Sequence, residues 1–252
     1  MENEQDSQNT QDLTKKKVKQ LKREERMTER LQQASSKRNK KYWMRFFLIL
    51  LIFVAGFGLW KLSQQAAGPS ADTAELLKLN STDWVKGKND DAAPTLIEYL
   101  DFQCPACASY YPLVKQLYDE YGDRIRFAVR HFPLVQIHGN AMASSRAAEA
   151  SGKQGKFWEM HDILFEKQNE WSNVRNPEQL FTSYAESINL NREQFLNDYK
   201  DDSLEEKIKK DRDSGSNLGV PGTPTFFFNG QKIENPRNYS VLKSIIENAI
   251  AK

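Results

Sequence analysis

The 252-residue sequence is poor in cysteine and histidine, with two of the first and three of the second. Two cysteines cannot build a scaffold held together by several disulfides, and three histidines leave little material for a closed zinc site. The formal net charge is only +2, so the chain also lacks the large excess of basic residues that a general nucleic-acid-binding protein carries. These shortages leave an ordinary globular chain of one or two domains with no nucleic-acid partner.

One stretch of the chain, residues 46–60, lacks charged residues altogether. It reads FFLILLIFVAGFGLW, and extending it to Leu62 adds only Lys61. As a helix such a run spans about 25 Å, slightly less than a hydrocarbon core of roughly 30 Å, and aromatic residues flank it as they do at membrane interfaces. We therefore expect residues 46–62 to form a single transmembrane anchor. A buried core helix is the alternative, but nothing upstream could form a core around it.

A cleaved signal peptide is the sharper alternative, because residues 66–68 are small, as a cleavage site requires. Such a peptide would need 45 residues ahead of its apolar region, and no cysteine follows to carry a lipid. Residues 15–41 hold 12 basic and 3 acidic side chains, so the positive-inside rule places the N-terminal tail in the cytoplasm. The region after the anchor is then extracytoplasmic, in an oxidising compartment.

Composition divides the rest of the chain into three parts. Residues 1–45 read as a disordered and basic tail, and residues 63–82 as a small, polar linker. We expect the folded domain at residues 83–252. It begins with strand patterns at residues 95–101 and 125–132 on either side of a helix, and this order is typical of a parallel βαβ unit.

The second half of the domain changes character. Residues 138–217 show helical patterns throughout, so we expect a helical insertion of about 80 residues. Two short strands around Asn229-Gly230, a strong two-residue turn signal, then predict a hairpin, and a final helix covers residues 239–250. The fold class is therefore an α/β sheet with a helical insertion.

Both cysteines stand in Cys104-Pro105-Ala106-Cys107, where a predicted strand turns into a helix. A cysteine at a helix N-terminus faces unpaired N–H groups and the positive end of the helix dipole, which stabilise its thiolate. Cys107 lies one turn later on the same face and can close a small disulfide ring with Cys104. A thiolate held in this way stabilises the reduced pair and makes the disulfide an oxidant.

Other uses of the two cysteines stay open. Half a zinc site would need His131, His138 and His161 to supply the other ligands. A structural disulfide would close a tiny loop and add little stability. A copper carrier would want a wider cysteine spacing with a histidine nearby. Elsewhere, the acidic residues of the range Asp198–Asp202 are compatible with calcium binding, although a solvated helix end is the simpler interpretation.

Two further features accompany the cysteines. Glu98 falls in the middle of the strand before them, where strand alternation allows either burial beneath the helix or exposure to water. A buried carboxylate there would take and return the proton of Cys107 during exchange. The segment VPGTPT places Thr223 and Pro224 before the late strand, and it reads either as an ordinary loop or as a cis Thr223–Pro224 bond that shapes a site.

In this order, the features resemble those of the DsbA-like thioredoxin-fold thiol-disulfide oxidoreductases of bacterial envelopes. The resemblance covers about Pro94 to Ala251 and rests on the segments LIEYLDFQCPAC, RHFPL, QGKFWEMHDILF and GVPGTPTFFFNG. It implies a thioredoxin-like fold, here preceded by a single N-terminal transmembrane helix. It also implies that the helical insertion caps the thiol face.

The resemblance assigns roles to individual residues. Cys104 would be the nucleophile and Cys107 the thiol that resolves the mixed disulfide. Glu98 matches the buried acid of the thioredoxin fold, and Thr223-Pro224 match a cis-proline loop whose backbone binds an extended substrate by strand addition. In the active-site loop, Pro105-Ala106, Ala106 departs from enterobacterial members, which have a histidine that helps to hold the thiolate. The strength of the oxidant is therefore open.

The function implied is that of a single-pass membrane protein whose outer domain donates the Cys104–Cys107 disulfide to exported proteins with free thiols. A quinone-linked membrane protein of the DsbB or vitamin K epoxide reductase type would reoxidise the pair, with no metal and no cofactor other than this redox-active disulfide. Two alternatives remain. One is a reductase or isomerase of the same fold, although residues 63–90 are too few for a dimerisation module. The other is a tethered peptide-binding or assembly factor whose thiols are incidental.

Overall fold

The computed structural model describes residues 46–57 and 71–250. Residues 46–57 are a helix, α1, and belong to a first unit of the chain at residues 1–67, while residues 68–252 form a second unit. Among the described residues, no helix has both the length and the apolar character needed to cross a bilayer. The predicted tail (1–45) and the last residues of the predicted anchor (58–62) lie outside the described ranges.

Five strands of the second unit form one mixed sheet in the order β1-β3-β2-β4-β5. The central strands β2 and β3 are parallel, which confirms the predicted βαβ unit, and all other neighbours are antiparallel. The carboxyl end of β2, where the cysteines follow, is therefore in the middle of the sheet. The strands are β1 (Trp84–Gly87), β2 (Thr95–Leu100), β3 (Arg126–His131), β4 (Thr225–Phe228) and β5 (Gln231–Ile233).

Helices pack against this sheet. A long helix connects β2 to β3, and six helices between β3 and β4 form the predicted helical insertion, which the structure confirms. In the second unit they are α2 (Ala71–Leu76), α3 (Pro105–Tyr121), α4 (Ala141–Gly152), α5 (Phe157–Glu166), α6 (Gln168–Trp171), α7 (Glu178–Ser187), α8 (Arg192–Tyr199), α9 (Asp202–Asn217) and α10 (Tyr239–Ile250).

The hairpin between β4 and β5 has the predicted two-residue turn. Asn229 and Gly230 have φ angles of 48° and 77°, which lie in the left-handed region. A two-residue hairpin turn needs this conformation at both central positions, and asparagine and glycine tolerate it best. Because β4 pairs antiparallel with β2, with Thr225 opposite Tyr99, the loop before β4 lies beside the carboxyl end of β2.

Apolar side chains pack on both faces of the sheet. On one face, Leu117 of α3 and Leu242 of α10 belong to the same buried cluster as Leu96 of β2. On the other face, Ile97 and Leu77 share a second cluster. Successive residues of β2 therefore point to opposite cores, as the period of a strand requires.

The segment before β1 is part of the folded unit, although residues 63–82 read as a linker. Arg130 of β3 is buried and donates hydrogen bonds of 2.8 and 2.9 Å to the carboxylate of Asp83. Its guanidinium also binds the carbonyl oxygens of Leu76 and Lys78. Residues 76–83 therefore pack on the folded unit, held by the buried Arg130 and by Leu77 in the apolar cluster.

Candidate active site

Cys104 stands at the turn between β2 and α3, at the N-cap position of the helix. Its backbone is extended, with φ −70° and ψ 121°, and its N–H donates to the carbonyl oxygen of Asp101 at 3.0 Å. Pro105 takes the first helical position, where the missing N–H has no partner to lose. The side chain of Ala106 is exposed, while Cys104 is 7% and Cys107 0% exposed.

The two thiols are free and lie within hydrogen-bonding distance of each other. The hydrogen bond from Cys107 is the main cause that lowers the pKa of Cys104 to about 5, against the opposing effect of burial. The backbone N–H groups of Cys107 and Ala106 add to this stabilisation, as expected at a helix N-terminus. Cys104 therefore carries a thiolate at neutral pH, the species that takes part in thiol–disulfide exchange.

Cys107 has the opposite electrostatics. Burial raises its pKa well above the usual value, and its hydrogen bond to Cys104 and the charge of Glu98 raise it further. One cysteine of the pair is thus a thiolate and the other a protonated thiol. This asymmetry matches the roles of nucleophile and resolving cysteine that the resemblance implies.

Glu98 is buried beneath α3, which decides between the two orientations that the sequence left open. It lies on the same face of β2 as Leu96 and Leu100 and is 6% exposed. Burial raises the pKa of its carboxyl to about 8, in spite of the opposing charge of Lys86. A carboxyl with such a pKa can take up or release a proton near neutral pH.

Lys86 is a member of this region that the sequence did not reveal. A narrow cavity of about 20 Å³ is lined by Glu98, Lys86 and His161, among others. The Lys86 ammonium lies 4.0 Å from the centroid of the Tyr118 ring and 4.2 Å from that of Trp158, both within cation–π range. Burial lowers its pKa. A lysine in a short edge strand usually faces water. The one indication of an inward orientation in the sequence is that Lys86 follows the aromatic Trp84 by two residues and therefore lies on the same face of the strand.

Each histidine is paired with a carboxylate in the structure. These pairs do not form a ligand set with the cysteines, because within the described residues no three side chains of the metal-binding types gather in one place. The zinc interpretation of the Cys104–Cys107 motif therefore finds no partner among the three histidines. The pairs are His131 Nε2 with Glu149 Oε1 at 2.7 Å, His138 Nδ1 with Asp101 Oδ2 at 2.6 Å and His161 Nδ1 with Asp162 Oδ1 at 2.9 Å.

The loop before β4 lies beside the sulfur of Cys104. The Thr223–Pro224 peptide bond is cis. The sulfur of Cys104 lies 3.4 Å from the carbonyl oxygen of Thr223. Asn235 donates to the carbonyl oxygen of Pro224 at 2.9 Å and so holds the loop from its other side. The structure thus brings together Cys104, Cys107, Glu98, Thr223 and Pro224, as the resemblance implies.

We expect Cys104 to react with iodoacetamide at nearly its full rate from pH 6 upward, with half the maximal rate near pH 5. The reason is that alkylation requires the thiolate, and the pKa of Cys104 is lowered to about 5. Thiolate absorbance at 240 nm against pH would give the same midpoint. Cys104→Ser should remove the acidic transition from both measurements. A midpoint near 8.5, as in an ordinary thiol, would contradict the arrangement described here.

Residues 79–248 match the model of a family described as thioredoxin. Among curated proteins, the Na(+)/H(+) antiporter NhaA 3 of Salinispora tropica is 37% identical over 169 residues, which cover 67% of this chain and 25% of that protein. The Na(+)/H(+) antiporter NhaA 1 of Mycolicibacterium gilvum is 30% identical over 204 residues, covering 79% and 32%. The chain thus spans about a quarter to a third of the length of these relatives.

Solved structures show the same fold over most of their own length. BdbD from Bacillus subtilis, in its oxidised form, has a TM-score of 0.57 and 26% identity, covering 67% of this chain and 92% of its own. For alpha-DsbA1 from Wolbachia pipientis the TM-score is 0.61 and the identity 23%, with coverage of 71% and 96%. MdbA from Actinomyces oris, a thiol-disulfide oxidoreductase, has a TM-score of 0.56 and 20% identity, covering 66% and 87%. The second unit therefore has a thioredoxin-like α/β fold with a helical insertion.

Proposed function

This chain belongs to the thioredoxin family, and from that premise we propose that it is a DsbA-like thiol-disulfide oxidoreductase that acts as an oxidase of exported proteins. The opposite pKa shifts of its two thiols carry this proposal. The pKa of Cys104 is lowered to about 5, so the reduced pair holds a stable thiolate. Whatever stabilises the reduced form raises the reduction potential and makes the disulfide a stronger oxidant.

The first step transfers the disulfide to a substrate. A thiolate of an unfolded protein attacks the sulfur of Cys104, the Cys104–Cys107 bond breaks, and Cys107 leaves as a thiolate. Glu98, with a pKa of about 8, is protonated at neutral pH and supplies the proton that Cys107 takes up. The substrate strand would lie along the Thr223-Pro224 loop, whose carbonyl oxygen is close to the reacting sulfur.

The second step completes the oxidation. The second thiolate of the substrate attacks its own sulfur in the mixed disulfide, and Cys104 leaves as a thiolate. Its low pKa makes it a good leaving group. The substrate has then lost two electrons and gained one disulfide, and the enzyme holds both electrons in its reduced pair.

Reoxidation runs the same chemistry in reverse. The Cys104 thiolate attacks a disulfide of the reoxidant and displaces one of its two thiolates. Cys107 then gives its proton to the Glu98 carboxylate that the first step left and attacks the Cys104 sulfur, so that the Cys104–Cys107 bond forms and the reoxidant leaves as its second thiolate. As the reoxidant we propose a quinone-linked membrane protein of the DsbB or vitamin K epoxide reductase type, on the basis of the family resemblance. The redox-active disulfide is the only cofactor that this cycle needs.

We place the oxidase domain outside the cytoplasm, tethered by residues 46–62. The charge-free run at residues 46–60 and the 12 basic side chains at residues 15–41 support this orientation. A tether would raise the effective concentration of the domain near a membrane-bound reoxidant.

A redox titration of the full-length chain in glutathione buffers, read by thiol alkylation, tests this function. We expect a potential well above roughly −200 mV for an oxidase. A value near about −270 mV, as in thioredoxin, would instead indicate a reductase. A pair that never cycles would indicate a peptide-binding factor. Cys107→Ser is the control, because it cannot form the internal disulfide.

A further inference from the structure

The helical insertion contributes a side chain to the turn that carries the nucleophile. Gln168, the first residue of α6, is buried. Its Nε2 donates to the carbonyl oxygens of Phe102 at 2.7 Å and of Cys104 at 3.0 Å. A carboxamide nitrogen carries two hydrogens, so one amide group serves both carbonyls. These two bonds reach the backbone two residues before the reactive cysteine and at the cysteine itself.

A second glutamine reinforces the same connection from the opposite side. Gln103, next to Cys104 in the chain, donates from Nε2 to the carbonyl oxygen of Ser172 at 2.7 Å. Its Oε1 accepts from the backbone N–H of Asn140 at 2.6 Å. The active-site turn and residues 168–172 are thus tied by side-chain hydrogen bonds in both directions.

The element that carries Gln168 is itself firmly held. Trp171, at the end of α6, is 0% exposed and donates from Nε1 to the carbonyl oxygen of Leu164 at 2.9 Å. Its ring also makes an edge contact with Phe181 of α7, at 5.3 Å between centroids. The carboxamide is therefore presented from a rigid support, as a group that positions a reactive residue must be.

We propose that Gln168 is a positioning residue of the redox centre, and that its carboxamide fixes the turn that presents Cys104 at the start of α3. The inference rests on the redox activity of the pair, but not on the direction of electron flow. Its physical basis is that the backbone N–H groups of Ala106 and Cys107 stabilise the Cys104 sulfur only while this turn keeps its geometry. The N–H dipoles of Gln168 also point their positive ends at the peptide groups around the thiolate.

The test compares the full-length chain with Gln168→Met, which keeps the approximate volume and removes both donors. In a glutathione buffer, we expect the ratio of reduced to oxidised pair to fall about threefold to tenfold, which corresponds to about 15 to 30 mV. The midpoint of the thiolate absorbance at 240 nm should move to higher pH. Unchanged values of both would overturn the proposal.

Gln168→Glu separates positioning from a merely structural role. Its protonated carboxyl can donate one hydrogen bond, whereas the ionised form can only accept and would face two carbonyl oxygens. We expect its redox defect, relative to the wild type, to be larger at pH 8 than at pH 5. A defect independent of pH would count against the proposal. This variant also decides the question if Gln168→Met fails to fold.

Gln154 offers a matched control in the same insertion. Its carboxamide likewise bridges backbone groups, since it donates to the carbonyl oxygen of Asn191 at 3.2 Å and accepts from the Asn191 N–H at 2.9 Å. Gln154→Met should leave the potential and the thiol titration unchanged, and an equal effect there would overturn the proposal. The thiol titration needs only the reduced chain. It therefore reports on Gln168 even if the glutathione titration contradicts the oxidase function.

Discussion

Cys104→Ser is expected to abolish oxidation of a reduced peptide dithiol, a loss of more than about 10³-fold. The hydroxyl of serine does not ionise near neutral pH and cannot form a disulfide. Cys107→Ser should also stop turnover, but by a different route. It retains the Cys104 thiolate, which attacks disulfide partners and then holds them because no second thiol can release them.

Loss of free peptide thiols against time measures turnover, and non-reducing electrophoresis shows the trapped mixed disulfides. We expect such species with Cys107→Ser and their absence with Cys104→Ser. Ala106→Ser is the matched control, because it adds a hydroxyl between the two cysteines and keeps both. Peptide oxidation that survives in Cys104→Ser would mean that the pair is incidental to the function.

Glu98→Gln should raise the stability of the folded chain at neutral pH. The pKa of Glu98 is about 8 in the fold against an ordinary value near 4.5, so the fold favours the protonated form. The wild type therefore loses stability as the pH rises from the ordinary pKa to about 8. Glutamine cannot ionise and escapes this loss, which amounts to about 3 kcal/mol at pH 7.

Denaturant unfolding of the reduced chains at pH 5 and pH 8 measures this effect. The advantage of Glu98→Gln should be small at pH 5 and large at pH 8, and an equal advantage at both would show that ionisation is not its cause. Glu149→Gln is the control with the opposite sign. Although burial opposes the shift, hydrogen bonds and charges from His131 and Lys207 lower the pKa of Glu149 to about 2. Its replacement should therefore destabilise the fold at pH 7.

The same Glu98→Gln variant should slow thiol–disulfide exchange by about 10²-fold, because Cys107 would lose the carboxyl group that accepts and returns its proton. Stopped-flow measurement of mixed-disulfide formation and resolution at pH 7 reports this rate. The gain in stability and the loss in rate should appear together. A faster or unchanged rate would mean that water, rather than Glu98, exchanges the proton with Cys107.

The parts of the site that the sequence predicted are those that depend on local chemistry. Cys104 and Cys107 lie within four residues of each other, and Asn229-Gly230 carries its own turn preference. Glu98 was ambiguous because alternation along a strand gives two faces without saying which of them is covered. The packing of α3 and α5 over this face of the sheet decides its burial.

The parts that the sequence did not predict depend on contacts between distant segments. Lys86 approaches Glu98 because β1 lies beside β3, a pairing that no local pattern announces. Gln168 reaches Cys104 across 64 residues, and a glutamine at the start of a four-residue helix has no distinctive signal. The segment held by Arg130 reads as a linker for the same reason, because its partner in β3 lies about 50 residues away.

The buried pair of Arg130 and Asp83 also determines where a mechanical load enters the domain. Tension applied to the chain ahead of residue 76 meets the guanidinium before it reaches β1, because Arg130 holds Asp83 and the carbonyl oxygens of Leu76 and Lys78. The force then passes into β3, a strand bonded on both sides, instead of peeling the edge strand from the sheet. A pull on the N-terminal side would thus leave the strand that leads into Cys104 supported from within the sheet.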